Sequence, residues 1–216
     1  MNACADPLDP SIAVALLAAG RGERFTGDKL AAELGPYPLW QWAAEVATQA
    51  GFVTRFVVAS EHSAGLFSGT PWRIAVNARV GEGLASSIRC AAQAAKDCSR
   101  LVILLADMPF VEAGHLRRLA LADGALFTRY PDGRHGNPAG FPAAMFSRLG
   151  GLRGDRGAGG DGWSEDAEAL SPFSPASLFD IDTVADLALA EARLPIDPRR
   201  PHWRGDNSSS MWAASL

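Results

Sequence analysis

The chain has 216 residues, of which 48% are apolar and 20% charged, with a formal net charge of −4, so one α/β domain with a sizeable core accounts for it. The acidic balance argues against a nucleic-acid partner, and no apolar run approaches the roughly 20 residues of a membrane span. The N-terminus has no basic region followed by a long apolar one, and the three cysteines, Cys4, Cys90 and Cys98, are odd in number and have no metal-ligand spacing, so we expect a cytoplasmic protein. Cys90 and Cys98 lie eight residues apart on a predicted helix, which favours packing roles for both.

A glycine-rich loop follows the first apolar run of the chain. Residues 1–11 predict a loosely held lead-in, and the run from Ile12 to Leu17 predicts a buried parallel strand because it is short and ends at glycines. The loop then combines glycines and cations, namely Gly20, Gly22, Gly27, Arg21, Arg24 and Lys29. Glycines let backbone N–H groups approach an anion closely while the side-chain charges surround it. The expected guest is a polyphosphate.

Two common phosphate-binding motifs do not match this loop. The third glycine of a dinucleotide fingerprint falls on Phe25, and no Gly-Lys-Ser/Thr follows for a Walker loop. The segment LAAGRGERFTGDKL instead resembles the signature loop of nucleotidyltransferases that attach a nucleoside monophosphate to a phosphorylated acceptor. It is most similar to the molybdenum cofactor cytidylyltransferases and their MobA-like relatives.

The resemblance covers residues 12–194 and implies one α/β domain with the Rossmann-like nucleotidyltransferase fold, three-layered with a mostly parallel central sheet. It implies that Arg24 and Lys29 are catalytic. It also implies a nucleotide-binding set in and before the loop, which consists of Leu17, Ala18, Ala19, Gly20, Arg21, Gly22 and Lys29.

The next hundred residues alternate between helical and strand patterns. Apolar residues recur at helical spacing from Leu39 to Ala50, and Gly51 supplies a stop. Residues 55–60 and 71–77 predict strands, and 61–67 predict a short helical or irregular link. An alanine-rich helix is predicted over 84–99. The alternation agrees with a parallel sheet.

The start of the alanine-rich helix carries the sequence GLASSIR. Its hydroxyls and amides suit either ordinary capping or the binding of an anion or polar ligand edge. The segment resembles G-L-S-x-S-[LI]-R of the cytidylyl branch, which implies that Gly83, Leu84, Ser86 and Ser87 bind the nucleotide near its base and ribose. Guanylyl-transferring relatives usually carry another sequence here and a glycine pair where this chain has Ala18 and Ala19. Both differences favour CTP, but they do not decide which nucleotide base the protein binds.

A second apolar run, Leu101 to Leu105, predicts a central parallel strand that ends close to Asp107. Ligands of open α/β sheets collect at the carboxyl ends of strands, and a carboxylate beside a triphosphate is a typical Mg²⁺ ligand. The sequence LADMP resembles L-x-D-M-P of the family. The resemblance implies that Asp107 binds the metal and is catalytic.

The stretch after residue 110 predicts a helix over 111–123, a strand over 124–130 and a turn-rich loop at His135 to Pro138. A short strand-helix unit is expected over 141–149, and the glycine-rich segment 150–162 suits a flexible linker. Residues 136–160 also resemble the acceptor-facing region of the family, which implies acceptor contacts from Asn137, Pro138, Gly154 and Asp155. The usual cation after Gly-Ala is replaced by Gly159 and Gly160, although Arg153 or Arg156 can supply the charge.

The end of the chain predicts a strand over 178–181, an N-cap at Thr183 and an amphipathic helix over 184–194. DIDT resembles a family motif whose second aspartate approaches the metal, which implies Asp182 as a second metal ligand. Capping is the alternative role for Asp180 and Asp182. Residues 195–216 predict a tail that is disordered or docked on a partner.

Three functions remain open at this level. The first is a Mg²⁺-dependent cytidylyltransferase that moves CMP from CTP to molybdopterin, with a molybdenum hydroxylase as the recipient of the product. The second is a related nucleotidyltransferase that uses GTP, or a sugar or alcohol phosphate acceptor. The third is a non-catalytic accessory protein of a molybdenum enzyme, which would be expected to lack a loop cation or a metal carboxylate.

Overall fold

The computed structural model describes residues 5–20, 22, 24–25, 27–154 and 168–194. The strands are β1 Ile12–Ala18, β2 Glu33–Leu34, β3 Tyr37–Pro38, β4 Thr54–Ala59, β5 Arg73–Val76, β6 Arg100–Leu105, β7 Leu126–Arg129, β8 His135–Pro142 and β9 Glu168–Leu170. The α-helices are α1 Leu39–Gln49, α2 Leu84–Ala94, α3 Ala113–Ala120, α4 Phe146–Gly150 and α5 Val184–Glu191. Short 3₁₀ turns lie at Ala64–Phe67, Val80–Glu82, Ala143–Met145 and Pro175–Leu178.

Seven of the strands form one mostly parallel sheet in the order β5-β4-β1-β6-β8-β7-β9. The central strand β1 pairs in parallel with β4 on one side and with β6 on the other. Among the described strands of this sheet, only β8 runs against its neighbours, since it is antiparallel to both β6 and β7. The strands β2 and β3 form a separate antiparallel pair. The predicted mostly parallel sheet is confirmed, and its parallel half contains the strands that lead into the glycine loop and Asp107.

Helices cover both faces of the sheet and make the fold three-layered. Alternate residues of a strand face opposite sides, so Val14 and Leu16 join a core on one face while Ala13 and Leu17 join a core on the other. The first core includes side chains of α1 and α3, and the second includes side chains of α2. Because both faces are buried, β1 reads as a continuous apolar run.

Several sequence-based element predictions are wrong in detail. His135 to Pro138 lie within β8 and not in a loop, because the pairing of His135 and Gly136 with β7 outweighs the turn propensity of Gly, Asn and Pro. Residues 178–181 do not form a strand; a 3₁₀ turn, Pro175–Leu178, occupies this region. The last helix ends at Glu191, and Cys98 lies beyond the end of α2.

Cys90 and Cys98 carry free thiols, and partial burial raises the pKa of each thiol. This agrees with a packing role for these two residues, whereas Cys4 lies outside the described residues. Within the described ranges, no helix combines the length and the apolar content needed to cross a bilayer.

A buried histidine links α3 to the antiparallel part of the sheet. The Thr128 hydroxyl donates to the carbonyl of Pro138 at 2.5 Å, so Nε2 of His115 must donate to Thr128 Oγ1, 2.7 Å away. The other ring nitrogen of His115 is buried and has no partner among the described residues. Burial, followed by the charge of Arg118, lowers the pKa of His115 from 6.5 to about 4.

We predict that His115 makes the fold less stable in acid. A lowered pKa means that the unfolded chain binds this proton first, so stability is lost as the pH falls below about 6.5. The free energy of unfolding should fall by about 2 kcal/mol more between about pH 7 and about pH 5 in the unmodified protein than in His115→Gln. Urea unfolding at the two pH values measures the difference, and equal pH dependence in both proteins would contradict it.

Candidate active site

The glycine loop follows β1, and Lys29 lines the same cleft as the end of that strand. The buried Ser63 hydroxyl donates to the carbonyl of Ala18 at 3.0 Å, which fixes the point where the strand ends. Gly22 has a φ of 57°, a left-handed conformation that favours glycine, and its carbonyl accepts a 2.7 Å bond from the amide of Phe25. Farther along, the Asp28 carboxylate accepts from the amide of Leu30 at 3.1 Å. This turn fixes the backbone around Lys29.

Two cations and two carboxylates meet in front of this loop. Nζ of Lys29 lies 2.7 Å from Oδ2 of Asp107 and 3.4 Å from Oδ1 of Asp182. The guanidinium of Arg24 pairs with the other oxygen of Asp182 at 2.6 Å. The Lys29 side chain is only 11% exposed, whereas that of Arg24 is 73% exposed. The structure thus brings together all four residues predicted to be catalytic or to bind metal.

The segment that carries Asp182 is held against the end of β6 by its backbone. The amide of Ile181 donates to the carbonyl of Asp107 at 3.0 Å, and the Ile181 side chain is fully buried. Thr183 and Asp186 then form the capping box of α5, in which the Asp186 carboxylate also accepts from the amide of Asp182. The predicted N-cap at Thr183 is confirmed. The capping carboxylate is that of Asp186, which leaves the Asp182 side chain to Lys29 and Arg24.

A third aspartate, Asp180, lines the same cleft. Burial, followed by repulsion from Asp182 and Asp107, raises the pKa of its carboxyl above the usual value. Burial and the charge of Asp180 also raise the pKa of Tyr130 to about 12. The Tyr130 hydroxyl donates to the carbonyl of Asn137 at 2.7 Å and stays protonated at neutral pH.

The loop, the carboxylates and the start of α2 enclose a cleft of about 650 Å³. This volume lies within the roughly 300–1,000 Å³ of small-molecule sites. Its lining includes the predicted nucleotide-binding and catalytic residues Leu17, Ala18, Ala19, Gly20, Gly22, Arg24, Lys29, Gly83, Leu84, Ser87, Asp107 and Asp182. Arg21 lies outside the described residues. Ser86 is not part of the lining, and its hydroxyl donates to the carbonyl of Gly83 at 2.8 Å.

None of the described residues predicted to contact the acceptor lines this cleft. Asn137 and Pro138 are buried in β8, and their carbonyls accept from Tyr130 and Thr128. Gly154 accepts from the amide of Ala85 at 3.1 Å, and Asp155 lies outside the described residues. The acceptor roles of Asn137, Pro138, Gly154 and Asp155 remain predictions.

An adjoining groove, also about 650 Å³, includes Gly154 and three arginines, Arg79, Arg89 and Arg153. Arg89 pairs with Glu82, and Gly81 belongs to both cavities. The groove therefore places positive charge next to the cleft.

Sequence reasoning missed two residues that shape the site, Ser63 and Asn77, and named Asp180 in the DIDT motif without assigning it to the site. Asp180 stands two residues before Asp182 in the DIDT motif, so the motif itself contained the signal. Asn77 is buried and donates to Ser86 and Ser87, and Ser63 fixes the end of β1. Buried side chains of this kind are recognised only once the strands and loops they join are placed together.

A mostly parallel α/β sheet with a glycine loop, cations and carboxylates at its carboxyl edge is an α/β fold with its ligand site where such sheets bind nucleotides. The model of the MobA-like NTP transferase domain matches residues 14–167, and the chain belongs to this family. No curated protein matches the chain in sequence.

Solved structures share the fold at low sequence identity. Rv0371c from Mycobacterium tuberculosis H37Rv is 24% identical with a TM-score of 0.68, over 85% of this chain and 99% of that one. A nucleotidyl transferase from Methanothermobacter thermautotrophicus is 22% identical with a TM-score of 0.70, over 83% and 95%. Molybdopterin-guanine dinucleotide biosynthesis protein A from Archaeoglobus fulgidus is 21% identical with a TM-score of 0.59, over 83% and 97%. Rv0371c is also known in complex with manganese.

We predict that the capping box of α5 holds the backbone of Asp182 in place. Thr183→Ala should lower the free energy of unfolding by about 1 kcal/mol, because the amide of Asp186 loses its acceptor. Hydrogen exchange at the amides of Asp182 and Asp186 should become faster. Asp186→Ala removes the reciprocal half of the box, and the double variant should lose less than the sum of the single losses. Unchanged exchange at both amides would contradict this role of the box.

Proposed function

We propose that the protein is a Mg²⁺-dependent cytidylyltransferase that moves CMP from CTP to the terminal phosphate of molybdopterin and releases pyrophosphate. The observation that carries the proposal is the meeting of Arg24, Lys29, Asp107 and Asp182 in the glycine-loop cleft. A triphosphate needs cations and close backbone amides, and this cleft offers both.

The proposed reaction is an in-line displacement at the α-phosphorus. An oxygen of the acceptor phosphate forms a bond to the α-phosphorus, and the bond from that phosphorus to the oxygen bridging the α- and β-phosphates breaks. The electron pair leaves with pyrophosphate, and the product contains a new P–O–P link. Little covalent chemistry falls to the protein, so its residues act by positioning and by stabilising charge. Lys29 and Arg24 would neutralise charge that develops on the α-phosphate and on the leaving pyrophosphate.

The carboxylates at this site fit a hard divalent cation. Oδ1 of Asp107 is buried without a hydrogen-bond partner among the described residues, while its other oxygen pairs with Lys29. In the described part of the chain, no group of three or more His, Cys, Asp and Glu side chains is placed to bind a metal by itself. Mg²⁺ commonly takes only one or two carboxylates and completes its shell with phosphate oxygens and water. We propose Asp107 and Asp182 as its ligands; when bound, the ion would neutralise phosphate charge.

The choice of CTP rests on the sequence of two cleft segments. Ala18 and Ala19 stand where guanylyl-transferring relatives usually have a glycine pair, and both line the cleft. The GLASSIR segment, typical of the cytidylyl branch, supplies Gly83, Leu84 and Ser87 to the same cleft. These two segments support a pyrimidine nucleotide.

A related nucleotidyltransferase with GTP or another phosphorylated acceptor is the second candidate. It is favoured by Gly159 and Gly160, which replace the usual cation of the acceptor region. Arg153, which lines the groove adjoining the cleft, can supply a positive charge in place of the missing cation. A non-catalytic accessory role is disfavoured, because Arg24, Lys29 and Asp107 are all retained and converge on one cleft.

Pyrophosphate release tests the proposed function. The purified protein is given Mg²⁺ and CTP, GTP, ATP or UTP in turn, each with and without molybdopterin. Release with CTP that depends on molybdopterin would support both substrates. Turnover with GTP or with another acceptor would favour the second candidate, and silence together with no Mg²⁺-dependent nucleotide binding would leave the accessory role.

We predict that Lys29→Ala loses most of its turnover. Deleting one preorganised charge donor costs about 2.7–4 kcal/mol of transition-state stabilisation, which corresponds to about 10²–10³ in kcat. Steady-state pyrophosphate release measures the loss. Lys96→Ala is the control, because Lys96 is exposed beyond the far end of α2. Unchanged kcat in Lys29→Ala would exclude Lys29 from the mechanism.

Asp107→Asn is predicted to abolish Mg²⁺-dependent turnover while the fold stays intact. The substitution keeps the shape of the side chain but removes the anionic charge that a hard cation requires. Turnover is measured across a Mg²⁺ titration, with circular dichroism and melting temperature as checks on the fold. Activity retained at ordinary Mg²⁺ concentrations would refute the metal role of Asp107.

A further inference from the structure

Asn77 is a buried polar residue that joins the end of β5 to the first turn of α2. It directly follows β5, and its backbone amide donates to the carbonyl of Ala59 at 2.8 Å. The residue is 5% exposed. Because a buried amide without partners costs free energy, each donor and acceptor of the Asn77 side chain should have a hydrogen-bond partner.

The partners of the Asn77 side chain fix which way its amide faces. The backbone amide of Arg79 can only donate, so it requires the Asn77 oxygen, and the two lie 2.9 Å apart. The amide nitrogen must then face the other side, where it donates to the hydroxyls of Ser86 at 2.8 Å and Ser87 at 3.1 Å. Both serine hydroxyls are therefore acceptors toward Asn77.

The two serines differ in where their own protons go. The Ser86 hydroxyl donates to the carbonyl of Gly83 at 2.8 Å and is satisfied inside the protein. For Ser87, the described residues provide no acceptor, and its side chain lines the cleft beside Gly83 and Leu84. Because the Ser87 oxygen accepts a hydrogen bond from Asn77, the Ser87 proton points away from Asn77. It is therefore available for donation to a ligand in the cleft.

We propose that Asn77 is a positioning residue that presents the Ser87 hydroxyl to the cleft as a hydrogen-bond donor. The inference rests on the proposed function, because the matching group is an acceptor on the bound nucleotide. Cytosine offers two such acceptors, its carbonyl oxygen and its unprotonated ring nitrogen. Through Ser86 and the amide of Arg79, the same side chain also braces both ends of the segment from Arg79 to Ser86.

Asn77→Asp tests the direction of the hydrogen bond with almost no change in shape. A carboxylate can still accept from the amide of Arg79, but it can no longer donate to the serines. Ser87 must then donate to the new carboxylate, and it offers the cleft only lone pairs. With Mg²⁺ and CTP, Kd should rise about three- to tenfold, the net effect expected for one hydrogen bond. KM should rise while kcat changes little, because the contact lies away from the reacting phosphorus.

Ser87→Ala and the double variant separate this effect from that of the added charge. Ser87→Ala should weaken CTP binding by a similar factor, and Asn77→Asp should add nothing further when it is combined with Ser87→Ala. If Asn77→Asp weakens binding equally with and without the Ser87 hydroxyl, its charge acts directly and the inference is wrong. Should Asn77→Asp fail to fold, Ser87→Ala alone decides, and an unchanged Kd overturns the inference.

Isothermal titration calorimetry of the four proteins gives these constants. The unmodified protein also serves as the test of the proposed function. If it binds no nucleotide in the presence of Mg²⁺, the proposed function fails, and the inference fails with it. If it binds CTP and the variants do not follow the pattern above, only the role of Asn77 fails.

Discussion

The ammonium group of Lys29 joins three parts of the chain that are far apart in sequence. It connects the glycine loop to Asp107 after β6 and to Asp182 before α5. A partly buried carboxylate without a cation is costly, so this contact balances charges that the fold itself brings together. Under the proposed function, phosphate oxygens of the nucleotide would pair with Lys29 and Arg24 in place of the aspartates. A divalent metal ion would then neutralise the carboxylates of Asp107 and Asp182. Ligand binding would thus exchange one set of ion pairs for another.

The parallel half of the sheet explains why these charges meet. β1 and β6 are neighbours that run in the same direction, so the segments following them emerge at one edge. Asp182 reaches this edge by a different device, the backbone bond from Ile181 to Asp107 and the capping box of α5. On the opposite side of the cleft, Asn77 ties the start of α2 to the end of β5. Each wall of the cleft is therefore held by buried hydrogen bonds.

Sequence patterns predicted the strands that are buried on both faces and the charged residues in the segments that follow them. β1 and β6 could be recognised because both are continuous apolar runs, and Lys29 and Asp107 follow them within motifs. β8 was misassigned, because the Gly-Asn-Pro sequence has turn propensity and only the ladders with β6 and β7 make it a strand. Ser63 and Asn77 were missed for a similar reason: their importance depends on contacts between distant segments, which periodicity does not encode.

The proposed function requires that the cleft transfer a nucleotidyl group and not a phosphoryl group. The most direct measurement incubates the protein, Mg²⁺ and molybdopterin with CTP labelled at either the α- or the γ-phosphate, and follows the label. We expect the α-label to become part of the acceptor product and the γ-label to leave as pyrophosphate. Transfer of the γ-label to the acceptor would contradict the proposed function, because the attack would then occur at the wrong phosphorus.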